Sequence, residues 1–183
     1  GGKSSRFGSD KAFIKINGAP LIKKQLQLLR SNFKRIIIVT NSPEKYKLRN
    51  VKIVSDIIPN RGPLGGIYSG LMASDSFYNF VVACDMPNLN LKLIKYMLRQ
   101  RNGFDVVAPH LAKGFETLFA IYSKNCIIPI YRTLVSKKLR IRDFFNKVKV
   151  RKIKEDEVKR YGDPNILFAN INTPLDYTKL LTA

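Results

Sequence analysis

The sequence is poor in several residue types, and each shortage excludes a class of protein. Its 183 residues include no tryptophan, one histidine and only two cysteines, Cys84 and Cys126. These cysteines lie far apart and have no Cys or His neighbour at zinc-ligand spacing, which argues against a disulfide framework and against a structural zinc site. The expected compartment is therefore a reducing cytoplasm, and Cys84 is expected to be a small core residue.

Long apolar runs are also lacking. Runs such as Ile36–Val39 and Ile127–Ile130 are only a few residues long, whereas a membrane-spanning helix needs about 20 consecutive apolar residues. We therefore expect a soluble protein with no membrane partner. The length suits one domain with a sizeable core, and we assign this single domain to residues 1–183.

Acidic residues are scarce compared with basic ones. Asp and Glu total 13 and Lys and Arg total 33, which gives a net charge of +20. Such a charge attracts polyanions, including nucleotides and nucleic acids. However, the basic residues are spread along the whole chain, without an arginine-rich tract, zinc-finger spacing or an aromatic RNA-binding motif. This favours a solvated, lysine-rich surface, and a nucleic-acid-binding module remains the alternative.

Strand-like and helix-like segments alternate along the chain, which predicts an α/β domain with a mostly parallel, twisted sheet. The predicted strands are Arg35–Thr40, Val51–Ser55, Asn79–Cys84, Asp105–Ala108, Thr117–Tyr122, Val148–Ile153 and Leu167–Asn170. The predicted helices are Pro20–Arg30, Ile67–Ala73, Asn90–Gln100, Asn125–Val135, Arg140–Lys147 and one after Pro174.

The opening segment GGKSSRFGSDK has the composition of a phosphate-binding loop. Its glycines would let backbone amides approach phosphate oxygens, and Lys3, Arg6 and Lys11 supply positive charge. The glycine spacing fits neither a Walker A loop nor a dinucleotide-binding motif. From these residues alone, a flexible terminal loop is an equally good interpretation.

Polar residues follow three of the predicted strands. Asp85 comes directly after the apolar run Phe80–Cys84, while Asn41 and Asp56 follow two earlier strands. Open α/β sheets bind ligands at the carboxyl ends of their strands, and Mg²⁺ is often held by one or two carboxylates plus substrate phosphates. Asp85 is therefore a candidate Mg²⁺ ligand. The alternative for each of these residues is a turn or helix-capping role.

Four segments, GGKSSRFGSDK, GPLGG, CDMP and NINTP, resemble in order and spacing the molybdenum cofactor guanylyltransferase family. The resemblance spans essentially the whole chain. It implies a Rossmann-like nucleotidyltransferase fold, a three-layer sandwich with helices on both faces of the sheet. In the family, a Leu-Ala pair that ends the first central strand precedes the two glycines. We therefore expect that strand to lie before Gly1 or to be missing.

The resemblance implies that GMP is transferred from GTP to molybdopterin with Mg²⁺, and that pyrophosphate is released. It assigns the chemistry to Arg6, Lys11 and Asp85, with Asp85 as the metal ligand. About residues 1–100 would bind the nucleotide and about 101–183 the acceptor. The nucleotide-binding residues are expected to be Gly1, Gly2, Lys3, Lys11, Asn41, Asp56, Gly62, Pro63, Leu64 and Asp85, and the acceptor-binding residues Asn170 and Asn172.

Several alternatives remain open at this point. Relatives with the same loop use CTP or activate other phosphorylated acceptors, and a catalytically inactive relative is also conceivable. The GPLGG segment could be an ordinary turn before a helix, and NINTP could be a helix start with Thr173 as its cap. The expected partners are GTP, molybdopterin, other proteins of molybdenum cofactor synthesis and the molybdoenzymes that accept the product.

Overall fold

Short helices and strands alternate through most of the chain. A computed structural model describes residues 11–16, 18–171, 173, 175, 176 and 178. The helices are α1 (Leu21–Arg30), α2 (Gly62–Ala73), α3 (Leu91–Arg99), α4 (Ile127–Val135), α5 (Glu155–Lys159) and α6 (Pro164–Leu167). The strands are β1 (Lys15–Ile16), β2 (Ala19–Pro20), β3 (Ile37–Val39), β4 (Lys52–Val54), β5 (Tyr78–Val82), β6 (Val106–Leu111), β7 (Gly114–Phe115), β8 (Phe119–Ser123) and β9 (Val150–Lys154). Turns of 3₁₀ helix cover Lys11–Phe13, Pro43–Lys45, Lys124–Cys126 and Ile141–Lys147.

The strands form three separate groups within the described residues. β1 and β2 make an antiparallel hairpin, and β3 and β4 make a parallel pair. The third group has five strands in the order β5-β8-β6-β7, with β9 parallel to β6. β8 is antiparallel to both β5 and β6. The sheet is therefore mixed, where a mostly parallel one was predicted, because the β6–β7 hairpin turns the chain directly back into β8.

Alternation along the strands divides the core between the two faces of the five-stranded sheet. In β8, Phe119 and Ile121 pack in a cluster with residues of α3, whereas Ala120 and Tyr122 pack with residues of α2 and α4. Successive side chains of a strand point to opposite faces, so helices cover both faces. The predicted α/β fold class, with helices on either side of the sheet, is confirmed. No described helix has the length and apolar character needed to cross a bilayer.

Two segments differ from their predicted secondary structure. The predicted strand Leu167–Asn170 is wrong, because the short helix α6 ends at Leu167 and no strand follows it in this segment. Asp163 caps α6 by accepting a hydrogen bond from the Asn165 amide at 2.8 Å. The GPLGG segment was predicted to be a loop before a helix, but it forms the first turn and a half of α2, which begins at Gly62.

Candidate active site

A crevice of about 2040 Å³ lies between the parallel pair β3–β4 and the larger sheet. Its walls include β3 and β5, and neither strand pairs with another described strand along the edge that faces the crevice. Side chains of α1 and α2 contribute apolar surface. The crevice brings together five of the predicted site residues, which are Lys11, Asn41, Gly62, Pro63 and Asp85.

Asp85 lies just beyond the end of β5, as the sequence predicts. Its side chain is 20% exposed, and its Oδ2 lies 3.6 Å from the Nζ of Lys11. Lys11 begins a 3₁₀ turn that is anchored by the buried Ala12, which packs against Ile22 and Leu26 of α1. The two charged groups are therefore placed on the same wall of the crevice by two separate elements.

The carboxylate oxygens of Asp85 are suitable ligands for a hard divalent cation that also binds the phosphate oxygens of a substrate. No group of three or more His, Cys, Asp or Glu residues with metal-binding geometry occurs in the described part of the chain. A single carboxylate is too few for a site made of protein ligands alone, but Mg²⁺ commonly takes its remaining ligands from phosphates and water. The residues present are thus compatible with Mg²⁺ that arrives with a nucleotide.

The backbone around Asp85 is held by three partners. The Gln25 side chain of α1 donates to the carbonyls of Ala83 and Met86 at 2.9 and 2.7 Å. The amide of Ile171 donates to the Asp85 carbonyl at 2.8 Å, and the amide of Ala83 donates to the Leu118 carbonyl at 2.9 Å. Sequence reasoning missed Gln25, and its only signal was an amide on the apolar face of a helix.

Asn41 and Asp56 form a reciprocal pair at the ends of β3 and β4. Asn41 Nδ2 donates to Asp56 Oδ2 at 2.9 Å, and the Asp56 amide donates to Asn41 Oδ1 at 3.1 Å. Among the described residues, the buried Oδ1 of Asp56 has no hydrogen-bond partner. A buried carboxylate oxygen without a partner is costly, and Asp56 itself is not among the described residues that line the crevice.

The N-terminus of α2 reaches the crevice through Gly62 and Pro63. Gly62 has φ +59°, which favours glycine. A Cβ on Gly65 would lie 2.9 Å from the Cβ of Arg61, so a larger residue there would force the backbone to shift. Leu64, by contrast, is fully buried, and its side chain belongs to the core and not to the crevice. The first turn of α2 contains no acidic residue, so the positive end of the helix dipole there favours an anionic ligand.

Of the remaining predicted site residues, the structure describes Asn170 but not the five others. Gly1, Gly2, Lys3, Arg6 and Asn172 lie outside the described residues. Asn170 is exposed, and it precedes Ile171, which binds the Asp85 backbone. The NINTP segment is therefore joined directly to the turn that carries Asp85.

Comparisons with a family profile and with known sequences indicate the same family. The sequence profile described as "MobA-like NTP transferase domain" matches residues 1–152. The chain is 34% identical over 179 residues to the "Probable molybdenum cofactor guanylyltransferase" of Pelotomaculum thermopropionicum, covering 98% of this chain and 87% of that protein. It is 35% identical over 181 residues to the "Molybdenum cofactor guanylyltransferase" of Desulfosudis oleivorans, covering 98% and 90%.

The fold also matches a solved structure. The crystal structure of molybdopterin-guanine dinucleotide biosynthesis protein A from Archaeoglobus fulgidus superimposes with a TM-score of 0.78. The match covers 96% of this chain and 90% of that one at 21% identity. At this identity the likeness establishes the fold only.

Proposed function

Because the chain belongs to the MobA-like NTP transferase domain family, we propose that it transfers GMP from GTP to molybdopterin and releases pyrophosphate. Its similarity to full-length relatives makes it a nucleotidyltransferase of molybdenum cofactor dinucleotide synthesis. Beyond this, we propose that GTP is the donor, that molybdopterin is the acceptor and that Mg²⁺ is the metal.

The observation that best supports the proposal is the meeting of Lys11 and Asp85 on one wall of the crevice. A nucleotidyltransferase must hold a polyphosphate next to a cation and a carboxylate. Asn41 and the N-terminus of α2 line the same crevice, and the unpartnered Asp56 oxygen lies beside Asn41. A carboxylate there can accept hydrogen bonds from donor groups of guanine or of ribose.

In the proposed reaction, an oxygen of the acceptor phosphate attacks the α-phosphorus of GTP. A new phosphorus–oxygen bond forms, and the bond from the α-phosphorus to the bridging oxygen of the leaving pyrophosphate breaks. The acceptor needs no general base, because a phosphate monoester is already anionic near neutral pH, with a second pKa of about 6. Catalysis then depends on positioning and on charge stabilisation.

Each residue of the crevice wall has a part in this scheme. Lys11 stabilises negative charge on the phosphates, and Arg6 is proposed to do the same. Asp85 would hold Mg²⁺, which neutralises phosphate charge when bound. Asn41 orients Asp56 through their reciprocal hydrogen bonds. Gly1, Gly2 and Lys3 are proposed to bind the phosphates, and Gly62 and Pro63 the base. Asn170 and Asn172 are proposed to contact the acceptor.

The test measures pyrophosphate release with molybdopterin, Mg²⁺ and each nucleoside triphosphate in turn. We expect GTP to be preferred and Asp85→Asn to reduce turnover by about 10²-fold or more, since one preorganised electrostatic group contributes about this much. Asp156→Asn is the matched control, because it removes the same charge from an exposed position on α5. It should retain normal turnover.

Two results would contradict the proposal in different ways. Preference for CTP would assign the chain to a sister activity with the same crevice. Full turnover in Asp85→Asn would remove Asp85 from the site, whichever nucleotide is used.

A further inference from the structure

Gln25 occupies an unusual place for a polar side chain. It lies on the buried face of α1 between Ile22 and Leu26 and is only 4% exposed. Burying an amide is unfavourable unless its hydrogen-bonding groups are satisfied. A polar residue at such a position needs a specific partner, and the structure provides two.

Both partners are backbone carbonyls that flank the predicted metal ligand. The Nε2 of Gln25 donates to Ala83 at 2.9 Å and to Met86 at 2.7 Å. A side-chain NH₂ group has two donors, so this group uses both of them on the same turn. The two residues between these carbonyls are Cys84 and Asp85. Gln25 therefore spans the turn that presents the Asp85 carboxylate.

The Met86 amide closes the turn through a long hydrogen bond of 3.4 Å to the Ala83 carbonyl, and the remaining contacts of the turn are made at other atoms. The Ile171 amide binds the carbonyl of Asp85 itself, and the Ala83 amide binds the carbonyl of Leu118. Neither of these two contacts connects Met86 to α1, whereas Gln25 does so through the Met86 carbonyl. Because Met86 is 2% exposed, water cannot easily replace Gln25 as the partner of its carbonyl.

We propose that Gln25 is a positioning residue that fixes the Asp85 turn from α1 and thereby sets the affinity of Asp85 for the divalent cation. The inference rests on the proposed function in one respect, namely that Asp85 binds the metal. Groups that orient a metal ligand typically change metal affinity by about 10- to 100-fold when removed.

The test uses Mn²⁺ binding by the full chain in the presence of GTP, followed by electron paramagnetic resonance. Gln25→Met keeps the shape of the side chain and removes the donors, and we expect it to weaken Mn²⁺ binding about tenfold. Gln25→Asn keeps the amide but is one methylene shorter, so it should not reach both carbonyls and should weaken binding similarly. It carries the test if Gln25→Met does not fold.

A matched control separates positioning from general loss of stability. Leu134→Ala removes a fully buried side chain of α4 in the core cluster that does not contain Met86. It should lower the melting temperature without weakening Mn²⁺ binding. Hydrogen exchange gives a readout independent of both metal and activity: the amides of Met86 and Ile171 should exchange faster in Gln25→Met than in Leu134→Ala.

The outcomes distinguish this inference from the proposed function. If Asp85→Asn loses Mn²⁺ binding while Gln25→Met binds as the unmodified chain does, the role of Gln25 is wrong and that of Asp85 stands. If Asp85→Asn binds Mn²⁺ normally, Asp85 is not the ligand, and the inference fails together with the metal assignment. If the Gln25 variants lose binding but GTP is not a substrate, the positioning role stands and the proposed activity is wrong.

Discussion

At the scale of single residues, the candidate site residues lie mainly at the ends of strands. Asn41, Asp56 and Asp85 follow apolar strand segments, and the structure places Asn41 and Asp85 in one crevice with Asp56 hydrogen-bonded to Asn41. Gln25 could not be identified in this way, because its proposed role depends on hydrogen bonds to carbonyls 58 and 61 residues away. Its position in the sequence looks only like an interruption of an apolar helix face.

The cysteines illustrate how one residue type can occupy opposite environments. Cys84 was predicted to be in the core, and this is wrong: it is exposed and lines the crevice. The reason is that it follows β5, a strand that faces the open crevice. Cys126 is fully buried, and burial together with the nearby Asp105 carboxylate raises the pKa of its thiol to about 12.

We therefore expect one fast-reacting thiol in the native protein. Thiolate is the reactive form, so at pH 8 Cys84 should react rapidly with Ellman's reagent and Cys126 should react only after unfolding. Absorbance should show one thiol in buffer and two in guanidinium chloride. Cys84→Ser should abolish the fast phase, and a fast phase that persists in this variant would contradict the assignment.

At the level of elements, α2 shows where local sequence signals mislead. Glycine and proline in GPLGG indicated a turn, yet the segment is helical from Gly62. Proline is well tolerated in the first helical turn, and the buried Leu64 and Ile67 hold α2 against the sheet. Tertiary packing therefore outweighs the low helix propensity of three glycines.

A partly buried ionic network joins β9, α5 and α3. Glu157 accepts a hydrogen bond from Arg151 Nη2 at 2.6 Å and another from the Lys154 amide at 2.8 Å. The Tyr96 hydroxyl also donates to it. Burial opposes ionisation of Glu157, but these hydrogen bonds outweigh that effect and hold its pKa below the ordinary value.

The lowered pKa of Glu157 predicts a loss of stability in acid. A carboxyl group with a depressed folded-state pKa stabilises the protein above its unfolded-state pKa of about 4.3, and this stabilisation is lost as the pH falls through the folded-state value. Urea unfolding between about pH 6 and 3 should thus show a weaker pH dependence in Glu157→Gln than in the unmodified chain. Asp156→Asn, an exposed neighbour, should behave like the unmodified chain, and equal slopes for all three would contradict the prediction.

For the whole molecule, the main physical property is the net charge of +20. A charge of this size draws anions toward the surface without selecting among them. We propose that selection comes from the crevice, which is lined by Lys11, Asp85 and the start of α2.

We predict different salt dependences for nucleic acid and for GTP. Binding to a DNA duplex should fall by about 10³-fold or more between about 50 and 200 mM salt, as expected for contacts with many phosphates. GTP binding with Mg²⁺ should fall much less, because GTP has few phosphates and the crevice supplies directional contacts. Fluorescence anisotropy with labelled ligands measures both. DNA binding that survives 200 mM salt would instead favour the nucleic-acid-binding alternative.

The sequence by itself determined the α/β class, the approximate places of most helices and strands, the family, and the candidate residues at strand ends. These features follow from local patterns of apolar residues and from short motifs. Only the tertiary structure decided the strand directions in the mixed sheet, the helical state of GPLGG, the exposure of Cys84 and the contact of Gln25 with the Asp85 turn. Each of these depends on how separate segments pack together in the folded chain, as Gln25 does with carbonyls 58 and 61 residues away, and such packing leaves no periodic signal in the sequence.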